Sequence, residues 1–124
     1  MIEPNEEFRE DARLETRHVS PELIAYVVDK IVRGVAPRRI ILFGSRARGE
    51  ATETSDLDLF VIQDGRAPNR QVRREIERLL WGRRFGVDLI VRKPEEVARN
   101  VADGNPFYTH HLLKEGQVLY ERPT

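Results

Sequence analysis

Asp56 and Asp58 stand two residues apart in an apolar run, separated by ten residues from the pair Gly44-Ser45. Side chains of a strand alternate between faces, so residues i and i+2 project together. The two carboxylates therefore share one side, with Leu57 and Leu59 on the other. Like charges aimed at one point repel and raise a pKa unless a cation lies between them. A hard divalent cation with oxygen ligands resolves that conflict. Gly44-Ser45 follows an apolar stretch (Ile40 to Phe43) and reads as a strand-ending turn. Glycine lets the backbone turn sharply and approach a ligand. The following N–H groups of Ser45, Arg46 and Ala47, with the serine hydroxyl, would face an anion. A phosphate cradle beside a carboxylate pair is the arrangement that nucleotide–metal chemistry requires. Asp88, near the start of the apolar run Val87 to Val91, is a third candidate. Three aspartates on two core strands favour a site, because buried carboxylates are costly without a partner.

The elements that must position these residues are legible from periodicity. Ser20-Pro21-Glu22 is a helix start, a capping hydroxyl before proline at the first helical position. Leu23, Ile24, Val27, Val28, Ile31 and Val35 follow at helical spacing, up to Gly34 and Pro37. Strands are predicted at about 39–43, 57–62, 87–91 and 117–121. Helices are predicted at about 69–81, from Pro94 through Val101, and over 107–114. Asp64-Gly65 and Asp103 to Pro106 read as turns. The fold class expected is α/β (α+β), a small mixed sheet flanked by helices. Residues 1–19, charged and weakly apolar (Phe8, Leu14), read as a tail, flexible or ordered by a partner. The folded domain is expected over 20–124.

Several tempting residues receive a plain structural reading. Ser55 caps or turns the connector. His110 and His111 are adjacent, so on an α-helix their rings diverge by about 100° and form no chelate. His18 lies in the tail. Arg70, Arg73, Arg74, Arg78, Arg83 and Arg84 form a basic patch that reads as a solvated face, and the stretch lacks aromatics interleaved for base stacking. Trp81 is expected in the core. The chain has 124 residues, a formal net charge of zero and no cysteine. It is sized for one domain, and disulfides and thiolate metal sites are excluded. Charge balance does not favour non-specific nucleic-acid binding, and direct nucleic-acid contact is not expected. No apolar run reaches membrane-spanning length, and the acidic N-terminus is unlike a signal peptide. A cytoplasmic protein is the expectation.

Gly44-Ser45-Arg46-Ala47-Arg48-Gly49, Ser55-Asp56-Leu57-Asp58-Leu59 and Val87-Asp88-Leu89 together resemble the minimal nucleotidyltransferases of the polymerase-β-like superfamily. The likeness covers about 20–121, and the closing run Leu113 to Glu121 also looks like the usual end of such proteins. The resemblance implies a polymerase-β palm-like fold and nucleotidyl transfer. It implies that Asp56 and Asp58 hold two Mg²⁺ ions, and that Asp88 completes the site of the ion activating the acceptor hydroxyl. Gly44 and Ser45 would hold the β- and γ-phosphates of ATP, with Arg46 and Arg48 as further phosphate contacts. Free-standing members commonly pair with a HEPN ribonuclease toxin. The implied activity is antitoxin transfer of AMP onto a toxin tyrosine, within a hetero-oligomer. Two alternatives stand beside it. One is a small-molecule enzyme resembling aminoglycoside nucleotidyltransferases, with Glu50, Glu53 and Glu121 as acidic hints. The other is a subunit that neutralises its partner by binding alone.

Overall fold

The computed structural model describes residues 11–124. Helix α1 (Pro21–Val35) begins as its sequence demands: the Ser20 hydroxyl accepts from the Leu23 N–H at 3.1 Å, and proline occupies the first turn. Strand β1 (Arg39–Phe43) follows, then β2 (Leu57–Ile62), α2 (Asn69–Leu79), β3 (Val87–Arg92), α3 (Pro94–Ala102), a π-helical turn (Phe107–Leu112) and β4 (Gln117–Glu121). The four strands lie in the order β3-β2-β1-β4. β1 pairs antiparallel with β2 and β4, whereas β2 and β3 are parallel. A parallel pair needs a crossover, and α2 supplies it. The sheet is mixed, as expected, and the predicted strands match to within a residue.

Alternation along the strands divides the core in two. Ile40, Leu42, Leu57, Leu59, Val61, Leu89 and Val91 face α1 and α2. Ile41, Phe43, Phe60, Ile62 and Ile90 face α3 and the π turn, where Phe60 meets Tyr108 edge-on at 5.7 Å. Gly34 lets the two helices of the first face close up: a Cβ there would stand 2.4 Å from Leu79 Cδ1. No helix among the described residues is long and apolar enough to cross a membrane.

Two expectations are corrected. The boundary after residue 19 fails for Asp11–Val19, because this stretch is part of the packed body. Leu14 is fully buried among α1, α2 and β-strand residues, its carbonyl accepts from the Arg84 N–H, and Asp11 pairs with Lys30 at 2.7 Å. A single leucine in a charged stretch carries no periodicity, so its burial is invisible to pattern reading. Phe8 lies outside the described residues. Trp81, expected inside, is 47% exposed, because α2 ends at Leu79 and Leu80 takes the inward position instead.

Candidate active site

Register places Asp58 of β2 between Phe43 of β1 and Asp88 of β3. Adjacent strands run about 4.8 Å apart. Alternation puts Asp58 and Asp88 on the same face as Phe60, Ile62 and Ile90. Asp56 immediately precedes β2 and shares that side. Two glycines make room for the carboxylates. A Cβ built on Gly44 would lie 2.1 Å from Asp58 Oδ2, and one on Gly86 would lie 2.1 Å from Asp56 Oδ1. Neither position admits a side chain unless a carboxylate moves. Gly86 is a site-building residue that motif reading passed over, although it stands directly before Val87-Asp88.

Asp58 is half-buried, while Asp56 and Asp88 are exposed. Burial, then the charges of Asp88 and Asp56, push the Asp58 carboxyl above the usual carboxylate range, partly offset by Arg46 and Arg48. The three aspartates thus form one electrostatic unit. Of the three aspartates expected to be buried, only Asp58 is withdrawn from water, because the group sits where the strands open to solvent. An all-oxygen donor set of mutually repelling charges fits a hard divalent cation such as Mg²⁺, which Asp56, Asp58 and Asp88 could hold.

The turn after β1 supplies the opposite polarity. Gly44 has φ +75°, a left-handed conformation that redirects the chain. The Arg48 N–H donates to Gly44 O at 3.2 Å and the Glu50 N–H to Ser45 O at 2.9 Å, closing a compact loop. Among the described residues, the N–H groups of Ser45, Arg46 and Ala47 find no acceptor. Three successive open donors make an anion-binding concavity, and Gly44 joins it directly to Asp58.

Arg46 is placed otherwise than a phosphate ligand would be. Its guanidinium donates to the carbonyls of Val19, Thr52, Glu53 and Ser55 at 2.6–3.3 Å. It ties the connector before Asp56 to the anion loop and to the segment preceding α1. Arg48 is exposed and paired with Glu50 at 3.1 Å. Ser55 does turn the connector: its Oγ accepts from the Thr52 N–H at 2.9 Å.

His110 and His111 depart from expectation. Their rings do not diverge but meet edge-on with centroids 5.0 Å apart, because the segment is a π turn rather than an α-helix. Along the outer edge of β3, Arg70, Arg73, Arg92 and Asp88 line an open groove of about 380 Å³. The side chains of Arg70 and Arg73 make no hydrogen bond or ion pair among the described residues. The acidic hints do not converge: Glu50 pairs with Arg48, Glu53 with His18, and Glu121 with Arg39 at the far end of β1.

Residues 21–117, spanning the anion loop and all three aspartates, match the family described as nucleotidyltransferase domain. The chain belongs to that family. Among its relatives is a Methanocaldococcus jannaschii protein named "putative protein adenylyltransferase", 34% identical over 83 residues, which cover 67% of this chain and 78% of that protein. The fold is also similar to the crystal structure of a "putative nucleotidyltransferase" from Sulfolobus solfataricus, with a TM-score of 0.55. That likeness has 23% identity and covers 82% of this chain and 79% of the other. At that identity it speaks for the polymerase-β-like fold alone, and the mixed sheet flanked by helices agrees with it.

Proposed function

We propose that this nucleotidyltransferase is a protein adenylyltransferase that moves AMP from ATP onto a tyrosine hydroxyl of a HEPN-type toxin, which it thereby silences as an antitoxin. The carrying observation is the contact of opposites at Gly44, where three open N–H groups adjoin Asp58, whose charge is coupled to those of Asp56 and Asp88. The named relative supports a protein acceptor, and the toxin partner follows from the family resemblance. The absence of a shared acidic pocket among Glu50, Glu53 and Glu121 weighs against a polycationic small-molecule acceptor.

The residues divide the work. The N–H groups of Ser45, Arg46 and Ala47 and the Ser45 hydroxyl receive the β- and γ-phosphates. Asp56, Asp58 and Asp88 would hold two Mg²⁺ ions, which when bound neutralise charge on the attacking and leaving oxygens. Asp88, exposed on edge strand β3, would face the acceptor and take the hydroxyl proton. The tyrosine oxygen attacks the α-phosphorus, the bond to the bridging oxygen breaks, and pyrophosphate leaves. Arg46 acts at a distance, fixing the connector that delivers Asp56. A nucleotide on a tyrosine adds bulk and negative charge, which would repel RNA from a ribonuclease site.

Co-expression with the product of an adjacent HEPN gene tests this reading. The partner should co-purify, gain one or more AMP masses on tyrosine with ATP and Mg²⁺, and lose ribonuclease activity. Asp58→Ala should still bind the partner but leave it unmodified, with transfer down more than about a hundredfold. Full neutralisation by Asp58→Ala without a mass change would replace catalysis by binding alone.

A further inference from the structure

His110, His111 and Glu115 lie outside the carboxylate site, on the π turn and the residues that follow it. Two π-type backbone bonds shape the segment: Leu113 N–H to Tyr108 O and Glu115 N–H to His110 O, both at 3.0 Å. An i to i+5 bond stacks Glu115 above His110, and the i+4 relation brings it to His111 as well. His111 Nδ1 lies 2.9 Å from Glu115 Oε1, and His110 Nε2 lies 3.8 Å from the same oxygen. One ligand atom from each residue falls within 4.8 Å of the others. The backbone beneath is fixed, since Tyr108 and Leu112 are buried and the Gly116 N–H closes onto Leu112 O at 3.1 Å. The imidazoles themselves are exposed.

We infer that His110 Nε2, His111 Nδ1 and the Glu115 carboxylate form a three-ligand site for a borderline divalent transition metal of the Zn²⁺ type. Zinc binds imidazole nitrogen and carboxylate oxygen at about 2.0–2.2 Å in tetrahedral geometry. Ligand atoms of such a site stand about 3.3 Å apart, close to the two separations seen here. The metal replaces the proton shared between His111 and Glu115, and three protein ligands leave one position for water or an external donor. Two imidazoles select Zn²⁺, Ni²⁺ or Cu²⁺ over Mg²⁺, so this site and the all-oxygen aspartate site sort different ions. The two are structurally linked. Gln117, two residues after Glu115, donates to Ala47 O of the anion loop at 3.0 Å. A bound ion would therefore brace 110–117 against the nucleotide loop.

The test is titration calorimetry with ZnCl₂, alongside the visible absorption of added Co²⁺, on a chain carrying Asp56→Asn and Asp58→Asn to remove the oxygen site. One equivalent should bind, with tetrahedral Co²⁺ bands, and a large excess of Mg²⁺ should not displace it. His110→Ala, His111→Ala and Glu115→Gln should each weaken binding about tenfold or more. His18→Ala, the third histidine of the chain, should leave it unchanged. Circular dichroism confirms that each exposed-site variant is folded, and Glu115→Gln alters no backbone contact. Absence of uptake, or uptake insensitive to both histidine substitutions, would overturn the assignment.

Discussion

Gly44→Ala probes the joint between the anion loop and the carboxylates. Two costs arise at this position. Its φ of +75° is left-handed, and holding a non-glycine residue there costs about 1–3 kcal/mol. Separately, the new Cβ would stand 2.1 Å from Asp58 Oδ2 and 3.0 Å from its carboxyl carbon, so Asp58 must rotate away. At about 4 °C per kcal/mol for a domain of this size, the backbone strain alone should lower the melting temperature by about 4–12 °C, and the displaced carboxylate adds to that loss. Displacing a catalytic group by about 1 Å costs about a hundredfold in rate, so transfer should fall at least that far. The two costs separate in a double-mutant cycle measured by denaturant unfolding. In an Asp58→Ala background the carboxylate is gone and only the Asp58 Cβ remains, at an ordinary 3.4 Å. Gly44→Ala should then cost less by about 0.5–3 kcal/mol, leaving the backbone strain alone. Additivity of the two substitutions within about 0.5 kcal/mol would refute the close contact. An unchanged melting temperature together with normal transfer would refute the role of the turn itself.

Gly86→Ala presses on Asp56 in the same way but from a backbone conformation open to other residues, so transfer should drop with a smaller loss of melting temperature; equal losses to Gly44→Ala would contradict this. Asp58→Asn should raise the melting temperature of the metal-free protein near neutral pH, because the folded-state pKa is raised and the charged form is disfavoured on folding. That gain should shrink as pH falls through the raised pKa toward the ordinary carboxylate value, where the wild type is itself protonated, as melting curves between about pH 4 and 7 will show. Arg46→Ala removes the ties to four backbone carbonyls and should cost about 2 kcal/mol or more by denaturant unfolding. It should lower transfer through a misplaced Asp56 rather than through lost affinity for ATP, so a pure rise in ATP KM would instead assign it to phosphate.

The sequence alone determined the elements and the faces they present. The apolar run Leu57 to Ile62, broken only by Asp58, and the Ser20-Pro21 cap are local signals, and local signals need no knowledge of neighbours. The motif spacing likewise pointed to Gly44, Ser45, Asp56, Asp58 and Asp88 before their positions were known, and the structure brings them to one end of the sheet. What only the tertiary structure decided depends on partners distant in sequence. Gly86 becomes a site residue because parallel pairing of β2 and β3 sets it against Asp56. Arg46 becomes a strut because the segment near Val19 and the connector both pass within its reach. Leu14 is buried because α1 and α2 leave a gap that it fills, whereas Trp81 falls past the end of its helix. His110, His111 and Glu115 converge because the turn widens from α to π, a change of one residue in hydrogen-bond register that composition does not announce. Local periodicity fixes which way a side chain points; packing fixes what it meets there.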